Sequence, residues 1–165
     1  MQRPDLLIRP YVDGDALGVW RVLEPIIRAG ETYALPRDMQ EQEALSYWTG
    51  ADRQTFVAEK DGGVVGTYYL RANQLGGGAH VANCGYATSG AHRGQGFARK
   101  MAEHSLDAAR AEGFRAVQFN FVVEANAPAV HLWRSLGFQE VGRLPEAFHH
   151  PVQGYVDALV MFRSL

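Results

Sequence analysis

The segment Ala91-His92-Arg93-Gly94-Gln95-Gly96-Phe97-Ala98 sets an arginine and two glycines where a strand-like run gives way to a helical one. Glycine lets the backbone come close to a ligand and turn successive N–H groups the same way. A helix N-terminus adds N–H groups with no acceptor inside the helix, and a field that favours anions. Each exposed dipole interaction contributes only about 0.3–1 kcal/mol, so several donors must converge on one group. A pyrophosphate suits such a cradle, and Arg93, Arg99 and Lys100 add positive charge around it. A glycine-rich cap on an ordinary helix has the same pattern. Two other phosphate loops are excluded, because no GxxxxGK[ST] occurs and Gly94-Gln95-Gly96 lacks the third glycine of GxGxxG.

Other reactive side chains are sparse. Cys84 is the only cysteine, which excludes an internal disulfide and any CxxC motif. It reads as an inert buried thiol, pointing to the sheet face opposite that of Asn83. His80 reads as a strand-end structural residue before it reads as a base acting through water. His149-His150 reads as a loop pair without a third ligand, so no metal is expected. Trp20, Trp48 and Trp133 read as core.

The elements that must position these residues alternate along a single domain of 165 residues. Leu6 to Val12 reads as a strand, and Asp13 caps a helix bearing Leu17, Trp20, Leu23 and Ile27, which Pro25 should kink or divide. A second helix is expected from Met39 to Thr49. Strands follow at Gln54 to Lys60 and Val64 to Arg71, joined by an Asp61-Gly62-Gly63 turn. Gly76-Gly77-Gly78 reads as a flexible loop, and Ala79 to Thr88 as a central strand. Next come a helix from Gly96 to Glu112, with Ala98, Met101, Ala102, Ser105 and Ala109 inward, and an apolar strand from Ala116 to Val123. A short helix from Ala127 to Leu136 carries Ala129, Leu132, Trp133 and Leu136 on one face. Strands at Phe138 to Leu144 and Tyr155 to Arg163 close an α+β domain around one mostly antiparallel sheet.

Composition narrows the function. Sixteen Lys and Arg against eighteen Asp and Glu give a net charge of -2, so duplex nucleic acid is not the expected partner. The longest apolar run, Ala158 to Phe162, is five residues, against the roughly 20 of a membrane-spanning helix. Met1 to Asp5 lacks the apolar stretch of a secretion signal, and a reducing cytoplasm is the expected location.

A second motif, Asn126-Ala-Pro-Ala-Val-His-Leu-Trp-Arg-Ser-Leu-Gly-Phe138, lies about thirty residues downstream of the first. Together the two segments resemble the GNAT superfamily of N-acetyltransferases. Its [QR]xxGx[GA] loop is matched by Arg93, Gly96 and Ala98. Its NxxAxxL[YW]xxxGF motif is matched by Asn126, Ala129, Leu132, Trp133, Gly137 and Phe138. The element order is also that of the GNAT fold, so the resemblance spans nearly the whole chain. It implies transfer of an acetyl group from acetyl-CoA to an amine, without a metal. The central strand would splay from the next one, and the pantetheine arm would lie in that cleft against the backbone of Gly85, Tyr86, Ala87 and Thr88. Amides of Gly94, Gln95, Gly96, Phe97 and Ala98 would hold the pyrophosphate. A homodimer through the C-terminal strands is also implied.

The chain departs from the family at two places. Many relatives supply a tyrosine hydroxyl as acid at the position of Trp133, whose indole N–H cannot act as one at neutral pH. Many also carry a glutamate base on the central strand, but His80 to Thr88 has no carboxylate. Asn83, Asn120 and Asn126 stand where the splay would bring them together, and segments around them resemble the fungal proline-analogue acetyltransferases, which act on azetidine-2-carboxylate. That branch implies Asn83 on the substrate carboxylate, Asn120 beside the amine or its oxyanion, and Asn126 on the CoA sulfur or pantetheine. Asn120 can equally satisfy strand-edge backbone, and Asn126 can cap its helix. Glu31 and Tyr33 lie in the loop where relatives build an acceptor lid; that loop reads equally as exposed, with Tyr33 packed on the core. The expected activity is therefore acetylation of a small amine, such as an amino or imino acid. An antibiotic, polyamine or protein N-terminus remains an alternative acceptor. A non-catalytic CoA sensor is a different class, distinguished by thiol release from acetyl-CoA with a panel of amines.

Overall fold

The computed structural model describes residues 6–165, so the reading of Met1 to Asp5 lies outside the described residues. The chain forms β1 (Leu7–Pro10), α1 (Ala16–Ala29), α2 (Glu41–Trp48), β2 (Arg53–Lys60) and β3 (Gly63–Ala72). It continues as β4 (Val81–Thr88), α3 (Phe97–Ala111), β5 (Ala116–Val123), α4 (Ala127–Ser135), β6 (Gln139–His150) and β7 (Gly154–Ser164). The expected order of elements is the observed one.

Seven strands form one sheet in the order β1-β2-β3-β4-β5-β7-β6. Every pairing is antiparallel except β4 with β5. Those two central strands pair only at Val81 with Ala116 and Ala82 with Val117, then separate. The two faces are covered by different helices. Tyr68, Leu70, Cys84, Met101, Leu106, Phe119, Trp133 and Leu159 make the core under α3 and α4. Val19, Leu23, Ile27, Trp48, Val57, Tyr69 and Ala87 make a second core under α1 and α2. All three tryptophans are buried, as expected.

Four local expectations are corrected. Pro25 neither divides nor ends α1, which runs through it. Pro25 and Arg21, the residue four before it, are both exposed, so the carbonyl that loses its N–H partner faces water. Gly76–Gly78 is a turn of 3-10 helix, with Gly78 N–H bonded to Leu75 O at 3.1 Å. The second helix begins two residues late, at Glu41. Strand β6 runs to His150, so His149 and His150 lie in a strand. His149 stacks on Tyr155 at 4.6 Å, while the buried His150 accepts the amides of Val152 and Gln153 through Nδ1.

Candidate active site

The site begins where β4 leaves β5. Asn83 follows the last paired residue of β4, and its Nδ2 donates to Gln118 O of β5 at 3.0 Å. Asn83 is 7% exposed, so both ends of its amide need partners. The second end accepts from Arg71 Nε at 3.4 Å, across the β3–β4 register that sets Arg71 opposite Asn83. Asn83 therefore closes the fork between the strands and orients a guanidinium. Cys84 points to the other face, as expected, and burial pushes its thiol up to about 12.

Around Arg71 lies a cluster that sequence reasoning missed. Arg53 is stacked between Tyr47 and Tyr69, with its guanidinium carbon 5.1 and 4.7 Å from the ring centres. Its Nη1 is buried with no hydrogen-bond partner among the described residues. Asp52 bonds Arg53 Nε at 2.9 Å and lies 3.8 Å from Arg71, one carboxylate for two cations. Tyr69 lies across Gly85, where a Cβ would stand 2.6 Å from its ring. No periodic signal marks this group, because it is assembled by strand register.

Asn120 lies in an irregular stretch of β5 between Phe119 and Val122. Its Nδ2 donates to Asn73 Oδ1 at 2.6 Å, and its Oδ1 accepts from Gln118 Nε2 at 2.9 Å. The expectation that it satisfies strand-edge backbone is corrected, because both partners are side chains. Asn126 sits at the N-terminus of α4 but makes no side-chain cap bond. Its half-buried carboxamide is left for another partner, which removes the capping reading.

Across the gap a glycine-rich turn leads into α3. Gly94 and Gly96 adopt φ of 75° and 78°, and a Cβ on either would meet nothing within 4 Å. That leaves an open cradle over the unpaired N–H groups of Phe97, Ala98 and Arg99. Arg93 and Lys100 are exposed beside it. Arg99 Nη2 donates to Ser135 Oγ at 2.6 Å and ties α3 to α4. Lys60, from the β2–β3 hairpin, donates to Gln95 Oε1 at 3.2 Å and lies over the Phe97 ring. Its place beside the turn was not legible, being 35 residues away. His92 stacks on Phe97, and its Nδ1 is buried without a partner among the described residues.

Trp133 packs into an aromatic group, with its ring centre 4.9 Å from that of Tyr86 and 4.6 Å from that of Phe119. The Tyr86 side chain bonds Ser105 Oγ at 2.6 Å, while its backbone faces the gap and is met by Tyr33. Glu31, in the loop that carries Tyr33, is exposed and makes no ion pair among the described residues. His80 is exposed at the closed end of the fork, where its carbonyl accepts from Arg115 N.

Residues 20–138 match the model of the Acetyltransferase (GNAT) family. The chain belongs to the GNAT family. A GCN5-related N-acetyltransferase from Kribbella flavida is 43% identical and superposes with a TM-score of 0.92, over 97% of this chain and 98% of that one. The N-acetyltransferase aca1 of Schizosaccharomyces pombe is 27% identical over 151 residues, 81% of this chain and 72% of that protein. The yncA protein of Salmonella typhimurium, solved with its cofactor acetyl-CoA, shares the fold at a TM-score of 0.86 and 19% identity, over 98% of this chain and 95% of that one. This GNAT protein is thus an acetyl-CoA-dependent N-acetyltransferase. As a GNAT member it is distinguished by Trp133 in place of the usual tyrosine and by Asn83 on a central strand without a carboxylate.

Proposed function

We propose that this acetyltransferase acts on the amine of a small carboxylate-bearing molecule, an amino or imino acid of the size of azetidine-2-carboxylate. The observation that carries the reading is the Arg71–Asn83 pair at the point where the fork begins to open, with Arg53 behind it. An arginine that keeps spare donors is suited to a carboxylate, and charge-assisted bonds are the stronger kind. Asn83 then works with Arg71, holding the guanidinium in place for the carboxylate. Asn120, on the same face, stands beside the amine.

Acetyl-CoA supplies an activated acetyl group when bound. Gly94 to Ala98, with Arg93 beside them, hold its pyrophosphate, the open cradle over the glycines being the feature that fits it. Within the run Gly85 to Thr88, the Tyr86 and Thr88 backbone on the edge that β5 leaves free would hold the pantetheine arm, and Asn126 and Trp133 would line its path. Tyr86 N–H faces the gap and is placed to receive the acyl oxygen, where negative charge grows as the amine attacks. No carboxylate stands on β4, so the proton leaving the amine passes to water, and the CoA thiolate released as the C–S bond breaks takes its proton from water. Glu31 and Tyr33 border the acceptor side. The same reading includes a homodimer, supported by the exposed Val141, Leu144 and Tyr155 on β6 and β7, and a reducing cytoplasm, supported by the free thiol of Cys84.

The test is thiol release from acetyl-CoA by the Arg71→Met variant. Losing a charge-assisted bond should raise KM for a carboxylated acceptor roughly tenfold or more, leaving the Kd for acetyl-CoA unchanged. An unaltered acceptor KM rejects the carboxylate reading.

A further inference from the structure

Tyr33 and the backbone of Tyr86 form a contact that the acetyl-transfer reading does not absorb. The β3–β4 ladder bonds at Asn73 N to Val81 O and at Ser89 N to Val65 O, eight residues apart along β4. Alternation between those ends turns Gly85 and Ala87 toward β3 and Tyr86 toward the gap. With β5 gone, Tyr86 N–H and C=O would stand unpaired on a partly buried edge. One side chain takes both: the Tyr33 hydroxyl accepts from Tyr86 N at 2.7 Å and donates to Tyr86 O at 2.5 Å.

A phenol is suited to this, because a single oxygen both accepts and donates. Burial pushes the Tyr33 hydroxyl well above the ordinary tyrosine range, so it stays protonated and keeps both functions. The ring is held edge-on to Trp48, 5.7 Å between centres. The Tyr86 N–H has one hydrogen, however, and cannot serve both Tyr33 and an incoming acyl or pantetheine oxygen.

We propose that Tyr33 is a displaceable placeholder: its hydroxyl holds the Tyr86 backbone in the free enzyme and yields it to acetyl-CoA. This rests on the reading that acetyl-CoA lies along β4. Tyr33 comes from the loop between α1 and α2, on the sheet face that carries Asn83 and Arg71. Displacement therefore frees a hydroxyl on the acceptor side only once the thioester is in place. Tyr33 acts as a positioning residue, spending its hydrogen bonds on the protein until the substrate claims that backbone.

The Tyr33→Phe variant keeps the ring against Trp48 and removes the competing oxygen. Calorimetry should show acetyl-CoA binding tightened roughly two- to tenfold, the worth of one net hydrogen bond. In the wild type, a nuclear Overhauser contact between the Tyr33 ring protons and the Tyr86 amide proton should be present in the free enzyme and lost on saturation with acetyl-CoA. Unchanged or weaker binding by a folded Tyr33→Phe variant overturns the placeholder, as does an Overhauser contact that survives saturation. No binding of acetyl-CoA to either protein overturns the cofactor placement and the placeholder together.

Discussion

Asn83 shows what one side chain contributes to this site. Its amide spans the point where two strands part, bonding Gln118 O on one side and Arg71 on the other. Asn83→Ala would leave the Gln118 carbonyl unpaired at the closed end of the cleft and release Arg71. The expected result is a loss of about 1–3 kcal/mol in urea unfolding, with a higher acceptor KM in thiol release. A variant of wild-type stability and wild-type KM would show that the bridge does neither job. Asn83 was legible as a polar residue on a central strand. The Arg71 that it orients was not, because cross-strand neighbours depend on a register set by distant turns. The Tyr33 contact was equally hidden, joining residues 53 apart through a loop with no periodicity.

At the level of elements, the turn into α3 has a conformation that its sequence almost dictates. Gly94 and Gly96 both sit at positive φ, where a side chain brings strain even though space is open around each. Gly96→Ala should therefore cost only about 1–2 kcal/mol of stability. Its larger effect should be a weakened Kd for CoA in calorimetry, because the strained turn re-aims the N–H groups beside it. The glycine turn, α3 and the β2–β3 hairpin were legible for this reason: each is written in local residues, the hairpin through Asp61 and Gly62, both at positive φ. The strand expected to end at Leu144, just before Pro145, runs on to His150 as β6. Pro145 lies in the irregular stretch between Leu144 and Phe148, on an edge strand where a missing N–H breaks no ladder bond.

For the whole molecule, the sheet divides the work. The face under α3 and α4 carries the larger apolar core, and the face under α1 and α2 carries the polar group at the fork. The first strand and α1 are joined by Arg9, which bonds Asp15 at 2.8 and 2.9 Å and Glu59 at 2.8 Å. Hydrogen bonds from Arg9, then from the Val12 amide, lower the Asp15 carboxyl below its ordinary value. Its stabilising effect is present above about pH 4, the unfolded value, and is lost as pH falls through the lower folded value. Asp15→Asn should be less stable than wild type at pH 7, and the gap should narrow toward pH 2 in urea titrations at each pH. A gap that is constant with pH would contradict the assignment.

The most direct measurement compares thiol release from acetyl-CoA with azetidine-2-carboxylate and with its carboxamide as acceptors. Acetyl transfer to a carboxylate-bearing amine predicts turnover of the acid, with a KM roughly tenfold or more below that of the amide. Equal turnover of the two, or no thiol release with the acid or with other amino acids, would contradict it.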